Sequence, residues 1–72
     1  MSLCERMKDL RIDHDETQAE VARVLKITQQ QYQLYESGKR SIPVDLLAEF
    51  CRYYGVSADY LLGLSKNAIW PR

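Results

Sequence analysis

Four glutamines, Gln29, Gln30, Gln31 and Gln33, fall within five positions of this 72-residue chain. A primary amide carries an acceptor and two donors, and it can pair bidentately with the N6 and N7 edge of adenine in the DNA major groove. The chemistry on offer is recognition by hydrogen bonds. Bond-making chemistry has no comparable set. No Ser or Cys has an orienting base in prospect, and no glycine-rich phosphate loop is present. Asp13 and Asp15 belong to a polar connection, not a pocket. Cys4 and Cys51 stand far apart with one histidine, His14, which makes no zinc site; buried structural thiols fit them better. The residues therefore imply no enzyme, no metal and no cofactor.

Whether those amides can read anything depends on the element that carries them. Thr28 with Gln31 can form a capping box, which starts a helix over 28–37. At about 100° per residue, and with Gln29 at zero, Gln33 falls near about 40°, Ser37 about 80°, Gln30 about 100° and Leu34 about 140°. Tyr35 and Tyr32 fall on the opposite side, at about 240° and about 300°. One face is aromatic and core-directed; the other is mostly amide. Gln31 sits on the border between them.

The elements around this helix are also legible. Ser2 with Glu5 opens a first helix over 3–12, with Leu3, Met7 and Leu10 at helical spacing. Thr17 with Glu20 opens a second, whose inward face is expected to be Val21, Ala22, Val24 and Leu25. Lys26 and Ile27 make the tight turn before the amide helix, so the pair reads as a helix-turn-helix. Gly38 closes the amide helix, and Lys39, Arg40 and Ser41 form a basic loop. Pro43 begins a fourth helix with an apolar stripe of Val44, Leu47, Cys51 and Tyr54, flanked by Phe50. Ser57 caps a short fifth helix, Ala58 to Leu62, closed by Gly63. The expected fold is all-α: a compact five-helix domain over residues 1–66 with a short tail, 67–72.

Composition sets limits on the function. The apolar fraction of 46% with three Gly and two Pro fits a folded globule. No apolar run approaches the ~20 residues that span a bilayer, and no secretory signal pattern is seen, so a cytoplasmic location is expected. Ten basic and ten acidic residues cancel, unusual for a nucleic-acid binder. Residues 1–36 hold five basic and seven acidic side chains, residues 37–72 five and three. Few phosphate contacts and a shallow salt dependence follow.

Three segments carry a family resemblance. Thr17-Gln18 with Ala22, Tyr35-Glu36-Ser37-Gly38-Lys39, and Gly55-Val56-Ser57-Ala58-Asp59-Tyr60-Leu61-Leu62-Gly63 stand at the separations found in phage repressor and Cro-like helix-turn-helix proteins of the xenobiotic-response-element type. The chain resembles that family over about residues 6–64. The resemblance implies that Gln18 contacts phosphate and braces the reading helix. It implies that Gln29 and Gln30 touch base edges, and that Leu34 stands at a base-reading position, where a thymine methyl suits it. It also implies that Glu36 pairs with Arg11 on the first helix. Three departures stand out: Lys26 replaces a turn glycine, Asp15-Glu16 replaces a glycine and an apolar residue, and Tyr32 replaces a smaller aliphatic.

The expectation is a bacterial or phage-encoded regulator, a repressor, that reads double-stranded DNA as a dimer on a pseudo-palindrome, with no membrane and no small-molecule ligand. Gln29, Gln30, Gln33 and Leu34 would meet bases; Gln18, Ser37, Lys39 and Arg40 would hold phosphates. Ile69 and Trp70 could serve the dimer, or fold back on their own core. The alternative is a protein-interaction or antitoxin-like module on the same fold.

Overall fold

The computed structural model describes residues 2–64, and the tail with Ile69 and Trp70 lies outside them. Five helices follow in order: α1 (Leu3–Asp13), α2 (Gln18–Leu25), α3 (Gln29–Glu36), α4 (Val44–Tyr54) and α5 (Ala58–Leu61). Each of the first three begins where a hydroxyl can satisfy a free backbone N–H. Thr17 and Thr28 form full capping boxes with Glu20 and Gln31. Ser2 caps α1 by accepting from the Glu5 N–H at 3.3 Å, while its own hydroxyl donates to the Glu5 carboxylate. Such caps contribute about 1 kcal/mol each.

The helices enclose one core. Met7 of α1, Val21 of α2, Tyr32 of α3, Phe50 and Cys51 of α4 and Leu61 of α5 are fully buried within it. α2 and α3 pack closely on each other, with α1 against α3, and α4 behind α2. Arg6 ties the far end: its Nη1 donates to the Tyr60 carbonyl at 2.8 Å and its guanidinium lies over the Tyr60 ring.

Several local expectations need correction. α1 continues through Asp13, and α5 stops at Leu61, with Leu62 as its cap. The reading helix proper is Gln29–Glu36, with Thr28 and Ser37 as its caps. Val24 is 40% exposed because it lies roughly 100° around α2 from the centre of its buried face, on the flank. Val44 is 80% exposed although it lies on the apolar stripe of α4. It is the first residue of that helix, so its turn projects past the core.

Two turns use left-handed backbone without glycine. Asp15 and Lys26 have φ of 55° and 60°, which costs an L-residue roughly 1–2 kcal/mol. Gly38, at φ 80°, closes α3, and a Cβ there would come within 3.1 Å of Cys4 Sγ. The turn needs glycine on both counts.

Candidate DNA-reading surface

The surface is built outward from one ion pair. Arg11, on α1, grips the carboxylate of Glu36 at the end of α3 with two parallel bonds, Nε to Oε2 and Nη2 to Oε1, each 2.9 Å. Both side chains are nearly out of solvent, at 14% and 4% exposure. Arg11 Nη1 also donates to the Glu16 carbonyl at 2.9 Å, which fixes the α1–α2 connection. Gln18, at the start of α2, adds its Nε2 to Glu36 Oε1 at 3.2 Å. One carboxylate therefore joins α1, α2 and α3. A bidentate, charge-assisted fork of this kind specifies orientation as well as attraction.

Charge on Glu36 is maintained. Burial alone would raise its pKa, but the Arg11 hydrogen bonds, the neighbouring Tyr32 hydroxyl and Gln18 outweigh it and hold the carboxyl below its ordinary range. The same pairing raises the Arg11 guanidinium further. Burial pushes the Tyr32 phenol well above its usual value. Among the described residues its hydroxyl has no hydrogen-bond partner of ordinary geometry, and nor has that of Tyr54.

With α3 so held, Gln29, Gln30 and Gln33 are exposed together on its outer face. Gln31 is committed elsewhere: its Oε1 accepts from the Thr28 N–H at 3.0 Å, closing the capping box. Leu34 is half-buried, and its carbonyl accepts from the Arg40 N–H. Ser37 is exposed, with its hydroxyl donating to the Leu34 carbonyl at 3.2 Å. Lys39 and Arg40 are exposed just past the helix end, and neither takes part in an ion pair among the described residues. Gln18 is half-buried, with one amide proton spent on Glu36.

Among the described residues, the arrangement thus presents three exposed amides from the first five residues of α3, with unpaired cations just past its far end. Among the described residues there is no group of acidic, histidine or cysteine side chains able to hold a metal. No helix there is long and apolar enough to cross a membrane.

The sequence profile of the helix-turn-helix family covers residues 7–61. This chain belongs to the helix-turn-helix family of repressor and Cro type. Helix-turn-helix proteins similar to it include the transcriptional regulator ImmR of Bacillus subtilis, 40% identical over 63 residues, which are 88% of this chain and 50% of the relative. The uncharacterized regulator YobD of the same organism is 37% identical over 64 residues, 89% of this chain and 57% of its own. Antitoxin PezA of Streptococcus pneumoniae is 35% identical over 60 residues, 83% of this chain and 38% of its own. The chain spans about half the length of the curated relatives it matches. The relatives it matches are named as transcriptional regulators, a phage repressor and an antitoxin.

Residue spacing carried no signal for two features of this helix-turn-helix. The Gln18 amide on Glu36 links residues 18 apart. Tyr53, on α4, donates its hydroxyl to the Glu16 carboxylate, closing the α1–α2 connection from the other side. The first contact exists only once α2 and α3 are packed, the second only once α4 lies against the α1–α2 connection.

Proposed function

We propose that this domain is a sequence-specific transcriptional regulator, a repressor, that places α3 in the DNA major groove. One observation carries the reading: the exposed amides of Gln29, Gln30 and Gln33 share a helix whose inner end is fixed by the Arg11–Glu36 fork. A reading helix must hold its register to within a fraction of a base-pair step, and a two-bond ion pair supplies that rigidity. Gln29 and Gln30, in the first turn, reach furthest toward base edges, as N-terminal residues of reading helices do. Gln33 follows one turn later, and the exposed part of Leu34 suits a thymine methyl.

Phosphates are held around this face. Gln18 keeps one amide proton and its carbonyl free of Glu36, so it can brace the helix and touch the backbone at once. Lys39 and Arg40 supply positive charge, and the Ser37 hydroxyl can turn from Leu34 to an oxygen of the strand. With few cations in play, affinity falls gently with salt. A module of this size buries only about 600–1,000 Å² on DNA. Its long extent of 30 Å is close to one helical turn of DNA, ~34 Å, so two copies side by side fit adjacent half-sites of a pseudo-palindrome.

The test is selection of binding sites from a random duplex pool at near-physiological salt. An inverted repeat with half-sites about one turn apart is the expected product. No enrichment would favour the second reading, a protein-binding module, which the similarity to an antitoxin supports.

A further inference from the structure

The carboxylate of Glu36 has a hydrogen-bonding position to spare. Among the described residues, Oε1 accepts from Arg11 Nη2 and Gln18 Nε2, whereas Oε2 accepts in ordinary geometry from Arg11 Nε alone. An ionised carboxylate offers about four acceptor positions. Water has little access to the open one, since the Glu36 side chain is 4% exposed. Leaving it unfilled beside a buried charge is costly.

One donor is left over on the same side of the same helix. Tyr32 is fully buried, and among the described residues its hydroxyl has no partner of ordinary geometry. Tyr32 precedes Glu36 by four positions in α3, the spacing that sets two side chains next to each other on a helix. Helical side chains also lean toward the N-terminus, so Glu36 reaches back over the turn that carries Tyr32. The hydroxyl is near enough to help hold the Glu36 carboxyl below its ordinary range. An aliphatic side chain at this position would fill the core without bringing a donor.

We propose that Tyr32 is a positioning residue of the reading helix: its hydroxyl donates to the open position on Glu36 Oε2 and straps the middle of α3 to its last turn. Arg11 from α1, Gln18 from α2 and Tyr32 from within α3 then share the carboxylate between them. The bonds of Arg11 and Gln18 join α3 to its neighbours. The Tyr32 bond runs along α3 itself and opposes fraying of the turn just before Ser37, Lys39 and Arg40. Gln33 lies between the two strapped residues, so its exposed amide keeps register with those of Gln29 and Gln30. The inference rests on the DNA-reading function proposed above and adds a residue to it.

The first test needs no DNA: the carboxyl carbon resonance of Glu36, followed by NMR as pH is lowered. The groups that bear on Glu36 are Arg11 of α1, Gln18 of α2 and Tyr32 itself, with Tyr54 of α4 near Arg11. Tyr54 supplies the control, because its buried hydroxyl also lacks an ordinary partner but neighbours Glu16. Tyr32→Phe is expected to shift the Glu36 midpoint upward, and Tyr54→Phe to leave it in place. No shift in Tyr32→Phe, or the same shift in both variants, would overturn the proposal. The second readout is binding to the selected duplex. Tyr32→Phe should lose part of its preference for that duplex over single-base variants, at an unchanged salt slope, while Tyr54→Phe keeps it. Full preference in Tyr32→Phe would overturn the positioning role even with the midpoint shifted. A parent chain that selects no duplex would sink the DNA reading, while the Glu36 shift would still uphold the bond.

Discussion

Arg11 and Glu36 are 25 positions apart and meet through two 2.9 Å bonds in a nearly closed site. Their pairing connects the first helix to the last turn of the reading helix, and Gln18 closes the triangle from α2. In a domain with a core this small, such a buried fork has a disproportionate share of the architecture. Removing one partner of a buried pair costs roughly 3–5 kcal/mol, because the other is left charged and unsatisfied.

Glu36→Gln should therefore lower stability by about 3 kcal/mol, read as a shift in the urea midpoint with an unchanged slope. The pH dependence has a definite sign. The folded-state pKa of Glu36 is lowered from its ordinary 4.5, so its contribution is complete above that value and disappears as pH falls through the lower folded-state one. Glu20 is lowered too, chiefly by the Thr17 backbone bond, and acts in the same direction. The difference between parent and Glu36→Gln, followed from pH 6 to pH 3, isolates Glu36. A constant difference across that range would exclude Glu36 as the titrating group.

Gln29→Ala should weaken operator binding by about 1–3 kcal/mol and relax preference at one base pair. Competition between the selected site and its single-base variants measures this. Equal loss on all sequences would assign Gln29 to the backbone of the DNA or to the fold.

Lys39→Ala should weaken binding uniformly and reduce the slope of log K against log salt by about 1. Titration at four salt concentrations is sufficient. An unchanged slope would remove Lys39 from the phosphate contacts.

The two helix-closing turns should respond oppositely to glycine exchange. Lys26→Gly relieves a left-handed side chain and should stabilise by about 1 kcal/mol, a rise of roughly 4–8 °C in the thermal midpoint. Gly38→Ala introduces both the unfavourable φ and a 3.1 Å approach to Cys4 Sγ, and should destabilise by at least about 1 kcal/mol. Equal responses at the two turns would mean that contacts of the Lys26 side chain, not its backbone, set the outcome.

Much of this domain was legible before any packing was known, and for a common reason. Caps act between residues three apart, so Thr17 with Glu20 and Thr28 with Gln31 announce their helices from sequence alone. The division of α3 into amide and aromatic faces follows from helical periodicity, and Tyr32 and Tyr35 are indeed buried while Gln29, Gln30 and Gln33 are exposed. The Arg11–Glu36 pair was reached only through the family resemblance. Nothing in the spacing of residues 11 and 36 specifies it.

Burial and long-range contact were decided by tertiary structure. Val24 and Val44 satisfy an apolar pattern yet stay exposed, because a helix can cover only the arc and the length that its neighbours occupy. Leu34 is half-buried, and its carbonyl receives the Arg40 N–H only once the Lys39–Arg40 loop folds back. Gln18 spends an amide proton on Glu36 only because α2 and α3 meet at a particular angle. Helices and their faces depend on hydrogen bonds and periodicities within a few residues, which sequence alone determines. The Glu36 junction depends on how α1, α2 and α3 converge, which only the assembled core defines.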